Sequence, residues 1–218
     1  GLKSHVQVSG LPHRLYLSAD VREMDRRAIH DQGVSGIELM SRAAASTFAV
    51  VQDRWPAARA VQVFCGRGNN GGDGYLFAEL AAKAGFNVQV FAIASTLQDK
   101  GDALNARQRY ERAGGIVEPL SADAVGGADV IVDALFGTGL TREVTGEVAA
   151  TIDAINRDQS PVVAVDIPSG LASDTGLVLG AAIAATVTST FIALKLGLFT
   201  GAGPDVRGDV EFFQLGVD

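Results

Sequence analysis

Cysteine is almost absent: Cys65 is the only one in 218 residues, so no internal disulfide can form and no spaced thiol set can hold zinc. A lone cysteine at a strand end reads as small core packing, and a reducing, cytoplasmic setting is expected. Histidine is nearly as scarce. His5, His13 and His30 lack metal-binding spacing, and no chemistry is assigned to them. Positive charge is in deficit, with 18 Lys and Arg against 25 Asp and Glu, which argues against an extended nucleic-acid-binding face. Residues 1–14 lack the apolar core of a signal peptide and read as an arm ahead of one domain, 15–218. Long apolar runs are also missing, with one exception: residues 177–194 carry no charge over 18 positions, the length of a membrane span. Their Ala, Gly and Thr content makes transfer into lipid poor, so no membrane is expected, and a buried helix followed by a buried strand is predicted instead.

Glycine, by contrast, is concentrated. Gly66, Gly68, Gly71, Gly72 and Gly74 fall within nine residues, after the apolar run 61–65 and before a helical pattern from Tyr75. So many glycines are costly in chain entropy unless the backbone takes positive φ or something approaches it closely. The spacing Gly66-x-Gly68-x-x-Gly71 matches a dinucleotide fingerprint, which needs an acid about 20 residues on to hold a ribose hydroxyl. None stands there: the next apolar run, 88–93, leads into 94–98 without a carboxylate before Asp99. The distinguishing residues are Asn69, Asn70 and Asp73, whose oxygens can accept from hydroxyls or bind a cation.

Two helices are predicted first, one over 19–30 with Ser18 as N-cap and one carrying Ile37, Met40, Ala44, Phe48 and Val51 on a face that ends before Pro56. Trp55 there reads as a packing anchor. Apolar strands and single helices then alternate: strands near 61–65, 88–93, 116–117, 129–135, 161–165, 187–194 and 209–215, helices near 75–84, 101–113 and around Val148, Ile152 and Ile155. This is an α/β pattern, a Rossmann-like three-layer αβα sandwich on a mostly parallel sheet. Such sheets bind ligands at the carboxyl ends of their strands, and three strand ends carry polar, glycine-rich turns: 66–73, 133–140 and 166–170. Asp133 alone reads first as a turn cap, and only the following Phe136-Gly137-Thr138-Gly139 tips it toward function, while Asp166 reads as a tuned acid–base group or a structural hydrogen-bond acceptor. Lys195 and Arg67 each either meet a phosphate or are solvated, and 205–209 reads as a structural turn.

Taken in order, Asn69-Asn70-Gly71-Gly72-Asp73-Gly74, Asp133-Ala134-Leu135-Phe136-Gly137-Thr138-Gly139 and Val165-Asp166-Ile167-Pro168-Ser169-Gly170 resemble the NAD(P)H-hydrate epimerase family. The likeness runs from residues 15–29 through Lys195-Leu196-Gly197-Leu198 to the last strand, with Leu196 where the family often has Pro. It implies an isomerase that interconverts the R and S forms of NADHX and NADPHX, hydrated reduced nicotinamide nucleotides, at C6. A dehydratase, fused or separate, would then complete the repair. The resemblance also implies a potassium site at Asn70, Asp133 and Ser169, and a homodimer. Substrate contacts would come from Asn69, Asn70, Gly71, Gly72, Asp73, Gly137, Thr138, Gly139, Leu140, Thr141, Arg142, Glu143 and Asp166. Asp166 is the expected catalytic group, shuttling a proton at the C6 hydroxyl as water leaves and returns. The competing readings are a non-catalytic nucleotide-binding or protein-interaction module of this fold, and an NAD-dependent oxidoreductase, which lacks its ribose acid.

Overall fold

The computed structural model describes residues 10–94 and 99–217. Residues 1–9 of the expected arm and residues 95–98, in the stretch without a ribose acid, lie outside the described residues. A short strand β1 (Leu15–Tyr16) leads into α1 (Ser18–His30) and α2 (Gly36–Arg54). Ser18 is the first helical residue of α1, not its N-cap. That position falls to Leu17, whose N–H is taken by Asp20 Oδ2 at 3.2 Å. Ser18 instead donates its N–H and hydroxyl to the Asp174 carboxylate, at 2.7 and 3.1 Å, so a distant acid satisfies the helix start. α2 begins conventionally, with Ser35 Oγ accepting from Glu38 N at 3.2 Å, and stops at Trp55 ahead of Pro56.

Six repeats of strand and connection follow: β2 (Ala60–Cys65), α3 (Asn69–Lys83), β3 (Asn87–Ala92), α4 (Asp102–Arg112), β4 (Val117–Pro119), β5 (Val130–Ala134), α5 (Gly146–Arg157), β6 (Val162–Val165) and β7 (Val187–Phe191). After β8 (Leu194–Lys195), α6 (Gly203–Val206) leads to β9 (Asp209–Phe213). The main sheet has seven strands in the order β4-β3-β2-β5-β6-β7-β9, every pair parallel; β1 and β8 pair separately. Alternation along each strand sends Val61, Val63, Val130 and Val132 to the core under α2 and α3, and Phe64, Phe91 and Ile131 to the opposite core, where Ile152 and Ile155 of α5 meet them. Cys65 is a buried member of the first core, and Trp55 packs against it. Chain order runs outward in opposite directions from the β2/β5 junction, so this is the topological switch point, where a crevice opens beyond the strand ends.

Three local expectations fail for identifiable reasons. α3 starts at Asn69, not Tyr75, so most of the glycine stretch is helix. None of its five glycines has positive φ; Gly66, Gly71, Gly72 and Gly74 are there for close approach, while Gly68 meets nothing within 4 Å. A Cβ on Gly66 would meet the Leu135 carbonyl, one on Gly71 the Gly66 carbonyl, and one on Gly74 Ala134 Cβ at 2.6 Å and Cys65 Sγ at 2.8 Å. Absent side chains thus let α3 sit directly on the ends of β2 and β5. Gly71→Ala should cost about 2 kcal/mol despite alanine's better helix propensity, because rigid backbone opposes the methyl group; an unchanged urea midpoint would disprove the close-approach account.

The predicted buried helix in the first half of 177–194 does not form. Residues 177–186 are irregular, with Gly176 and Gly180 at φ 72° and 81°, and the backbone pairs outward: Leu179 N donates to Gly170 O at 2.8 Å, Ile183 N to Ser169 O at 2.9 Å. Small residues are needed here because the segment lies flush against the β6 turn. The strand expected over 187–194 is broken as well. Ile192 has φ 69°, and Ala193 N bonds Phe191 O at 2.7 Å, forming a γ-turn of the rare positive-φ kind that separates β7 from β8. Among the described residues no helix is long and apolar enough to cross a membrane.

Candidate active site

The crevice at the switch point is a cavity of about 840 Å³. Its floor and walls come from the starts of α3, the 135–145 loop, the end of β6, and α1. Asn69, Asn70 and Asp73 line it, as do Gly137, Thr138, Gly139, Leu140, Thr141, Arg142 and Glu143, and Asp166. Gly71 and Gly72 are buried behind the wall, where they pack against the Gly66 carbonyl and Met40. Gly68 is the N-cap of α3 and no side chain caps the helix, so its first N–H groups and the positive end of its dipole open toward the cavity.

Asp166 sits at φ 72°, and Ile167 N bonds Val165 O at 2.9 Å, a second positive-φ γ-turn. Backbone strain of this kind persists only where surroundings fix it. Here they do: Asp166 Oδ1 accepts from Lys195 Nζ at 2.5 Å, Thr190 Oγ1 at 3.1 Å and Phe191 N at 3.2 Å. Lys195 is wholly buried, neither at a rim nor solvated, and its other two N–H bonds go to Thr190 Oγ1 at 3.1 Å and Phe191 O at 2.7 Å. The Ile192 turn is what returns the chain so that Lys195 reaches back to Phe191. With Oδ1 saturated, no described residue donates to Oδ2, leaving that oxygen for a ligand. Arg67, the other ambiguous cation, is an exposed partner of Asp99, with Nε 3.0 Å from Oδ1.

Asp133 and Ser169 lie beneath the wall, both at 0% exposure. Asp133 Oδ1 accepts from Ser169 Oγ at 2.5 Å and Leu135 N at 3.2 Å, and Oδ2 from Ser169 N at 2.8 Å; Phe136 N donates to Ser169 Oγ at 2.8 Å. Burial pushes the Asp133 carboxyl up to about 6 against the downward pull of its bonds from Ser169. Asn70 donates Nδ2 to Val165 O at 2.6 Å, while its Oδ1, buried, has no hydrogen-bond partner. A buried amide oxygen without a donor is costly unless something electropositive meets it. With the Asp133 carboxylate and Ser169 hydroxyl it offers an all-oxygen set of low charge, which suits a hard monovalent cation. Among the described residues no group of three or more His, Cys, Asp or Glu is arranged to hold a metal.

Three contributors escape motif reading. Asp25, on α1, lines the cavity; burial and the Asp166 charge push it up to about 6. No sequence signal marked it, although Val21 and Ile29, one turn to either side on α1, also line the cavity. Asp174 holds α1 from outside every motif, and Lys195 declares its role only once the Ile192 turn is known. Asp73 is held well above the usual carboxylate range by burial, then by the charges of Asp166 and Asp25.

Residues 36–197 match the family model described as YjeF-related protein N-terminus. The chain is 42% identical over 208 residues to the bifunctional NAD(P)H-hydrate repair enzyme Nnr of Escherichia coli, covering 95% of this chain and 40% of that protein. It is 36% identical over 199 residues to an NAD(P)H-hydrate epimerase of Limosilactobacillus fermentum, covering 88% of this chain and 92% of that one. The crystal structure of yeast ynu0 superposes with a TM-score of 0.75 at 21% identity, over 91% of this chain and 87% of the yeast chain, and shares the fold. The chain spans about two-fifths of the length of the bifunctional relatives it matches. On the family model and these identities, the chain belongs to the family of YjeF-related protein N-termini.

Proposed function

We propose that this domain is an NAD(P)H-hydrate epimerase, interconverting the R and S forms of NADHX and NADPHX at C6. The observation that carries the reading is Asp166: a carboxylate strained into position, saturated on Oδ1 and open on Oδ2 toward a dinucleotide-sized cavity. Relatives that share the family are named as epimerases or as bifunctional repair enzymes. The uncapped start of α3 suits a substrate phosphate, and the 137–143 loop would close over the nucleotide. Asn70 Oδ1, Asp133 and Ser169 would hold a potassium ion, whose single positive charge ties the ends of β5, β6 and the α3 start together.

At the substrate, Asp166 would stabilise the iminium that forms as the C6 hydroxyl departs, because an open carboxylate oxygen beside a developing cation lowers its energy. Water returning to either face gives either epimer. An oxidoreductase reading fares poorly, since no His or Tyr lines the cavity among the described residues. The epimer that results would pass to a dehydratase, as a fused domain or a separate protein. Exposed Leu15 and Leu17, beside α1, offer an apolar face to a second copy in a homodimer, and the single free Cys65 fits a cytoplasmic setting. The test is epimerisation of resolved (R)-NADHX and (R)-NADPHX by the purified chain, with potassium or sodium. Potassium and a nicotinamide nucleotide together should raise the melting temperature by several degrees, about 2.7 kcal/mol at a hundred times Kd. Absence of both turnover and stabilisation would remove the assignment.

A further inference from the structure

Three carboxyls converge on the cavity from separate elements: Asp25 from α1, Asp73 from α3 and Asp166 from the end of β6. They act on one another electrostatically, and Lys195 is the cation that reaches them all. Lys195 is already committed to Asp166, and neither Asp25 nor Asp73 takes a hydrogen bond or ion pair from a described residue. The three form no group able to hold a metal ion. Like charges that share one cavity and are half-withdrawn from water do not all ionise, and the carboxyl with the least support keeps its proton. Asp166 has three donors, whereas Asp73 and Asp25 have none, and of these two it is Asp73 that shares the start of α3 with Asn70. The same cavity is lined by Asn70, whose Oδ1 is buried without a partner, so the carboxyls face a built ligand site.

From this arrangement we infer that Asp73 is the proton donor to the departing C6 hydroxyl, and that Asp25 is a positioning residue that keeps the proton on Asp73. The inference rests on the epimerase reading above. The raised carboxyls of Asp73 and Asp25 agree with it, and environments that drive two carboxyls apart mark acid from base. In the step, the Asp73 O–H proton moves to the C6 oxygen. The C6–O bond breaks, its electron pair leaving with water, as the ring-nitrogen lone pair closes a C=N bond. Asp166 Oδ2 faces the resulting cation. In return, water oxygen bonds C6 from either face, the C=N pair goes back to nitrogen, and the surplus proton restores Asp73. Nothing is oxidised or reduced, and water is the one co-reactant.

The test compares wild type, Asp73→Asn and Asp25→Asn on resolved (R)-NADPHX, with uncatalysed epimerisation subtracted. Asp73→Asn should lose about a hundredfold or more in kcat, the low end for a general acid, with KM little changed. Wild-type kcat should fall as pH rises through the Asp73 ionisation. In Asp25→Asn that alkaline limb should move to lower pH, because removing a negative neighbour eases ionisation of Asp73. The other charged groups on the cavity wall, Arg22, Arg67, Asp102, Arg142 and Glu143, are unchanged in both variants. Near-wild-type kcat in Asp73→Asn overturns the inference, as does an unmoved limb in Asp25→Asn; the second reading stands even where Asp73→Asn folds poorly. A wild-type chain that fails to epimerise overturns the epimerase assignment itself, a separate outcome.

Discussion

Asp166→Asn should lower kcat for epimerisation by about 10²- to 10³-fold, the range lost when one preorganised electrostatic stabiliser of a transition state is removed. Asparagine is the informative replacement for two reasons. It tolerates positive φ better than other residues, so the γ-turn at φ 72° can persist. Its Oδ1 can still accept from Lys195, Thr190 and Phe191, so the network survives while the negative charge facing the cavity is lost. Alanine would confuse the result by leaving three buried donors without an acceptor. Steady-state epimerisation of (R)-NADPHX, beside a circular-dichroism melt, decides the matter. A folded Asp166→Asn enzyme within tenfold of wild type would falsify the role given to this carboxylate.

Lys195→Met has its effect on stability. The lysine side chain is fully buried, and methionine fills similar volume, so packing alone predicts little change. Electrostatics predicts much more. The substitution leaves the Asp166 carboxylate without its cation, with only Thr190 Oγ1 and Phe191 N still donating to Oδ1, and removing one member of a buried pair costs about 3–5 kcal/mol. Adding Asp166→Asn to Lys195→Met should recover part of that loss, since the two residues share one interaction. Urea unfolding of the two single variants and the double variant measures the coupling. Additive losses would mean that the short contact contributes nothing.

The parallel sheet was legible because buried strands advertise themselves as continuous apolar runs such as 129–135 and 161–165, and the polar turns after them marked the binding edge. What hid was whatever depends on contacts between distant segments. Gly66, Gly71 and Gly74 read in sequence as a tight loop whose glycines imply positive φ or close approach, and which of the two holds is decided by contacts with Leu135, the Gly66 carbonyl, and Ala134 with Cys65. The small residues of 177–186 suit a helix by propensity, yet tertiary pairing with the β6 turn decides their path. Asp25 carries no motif. Its partners are two other acids reached only through the fold, and the helical periodicity of that segment gives no reason to single it out.

The pairing of β1 with β8, Leu15 opposite Leu194 and Tyr16 opposite Lys195, bears on how the protein is made. A ribosome delivers Asp166 well before Lys195, and β1 waits for a partner that follows only after β2 to β7 have been made. During that interval the carboxylate has no cation and α1 has no strand to follow. The site is assembled by pairing of two segments far apart in sequence, so a nascent or cleaved chain lacking residues 194–195 holds every glycine and asparagine of the cradle and still has no ordered carboxylate at Asp166.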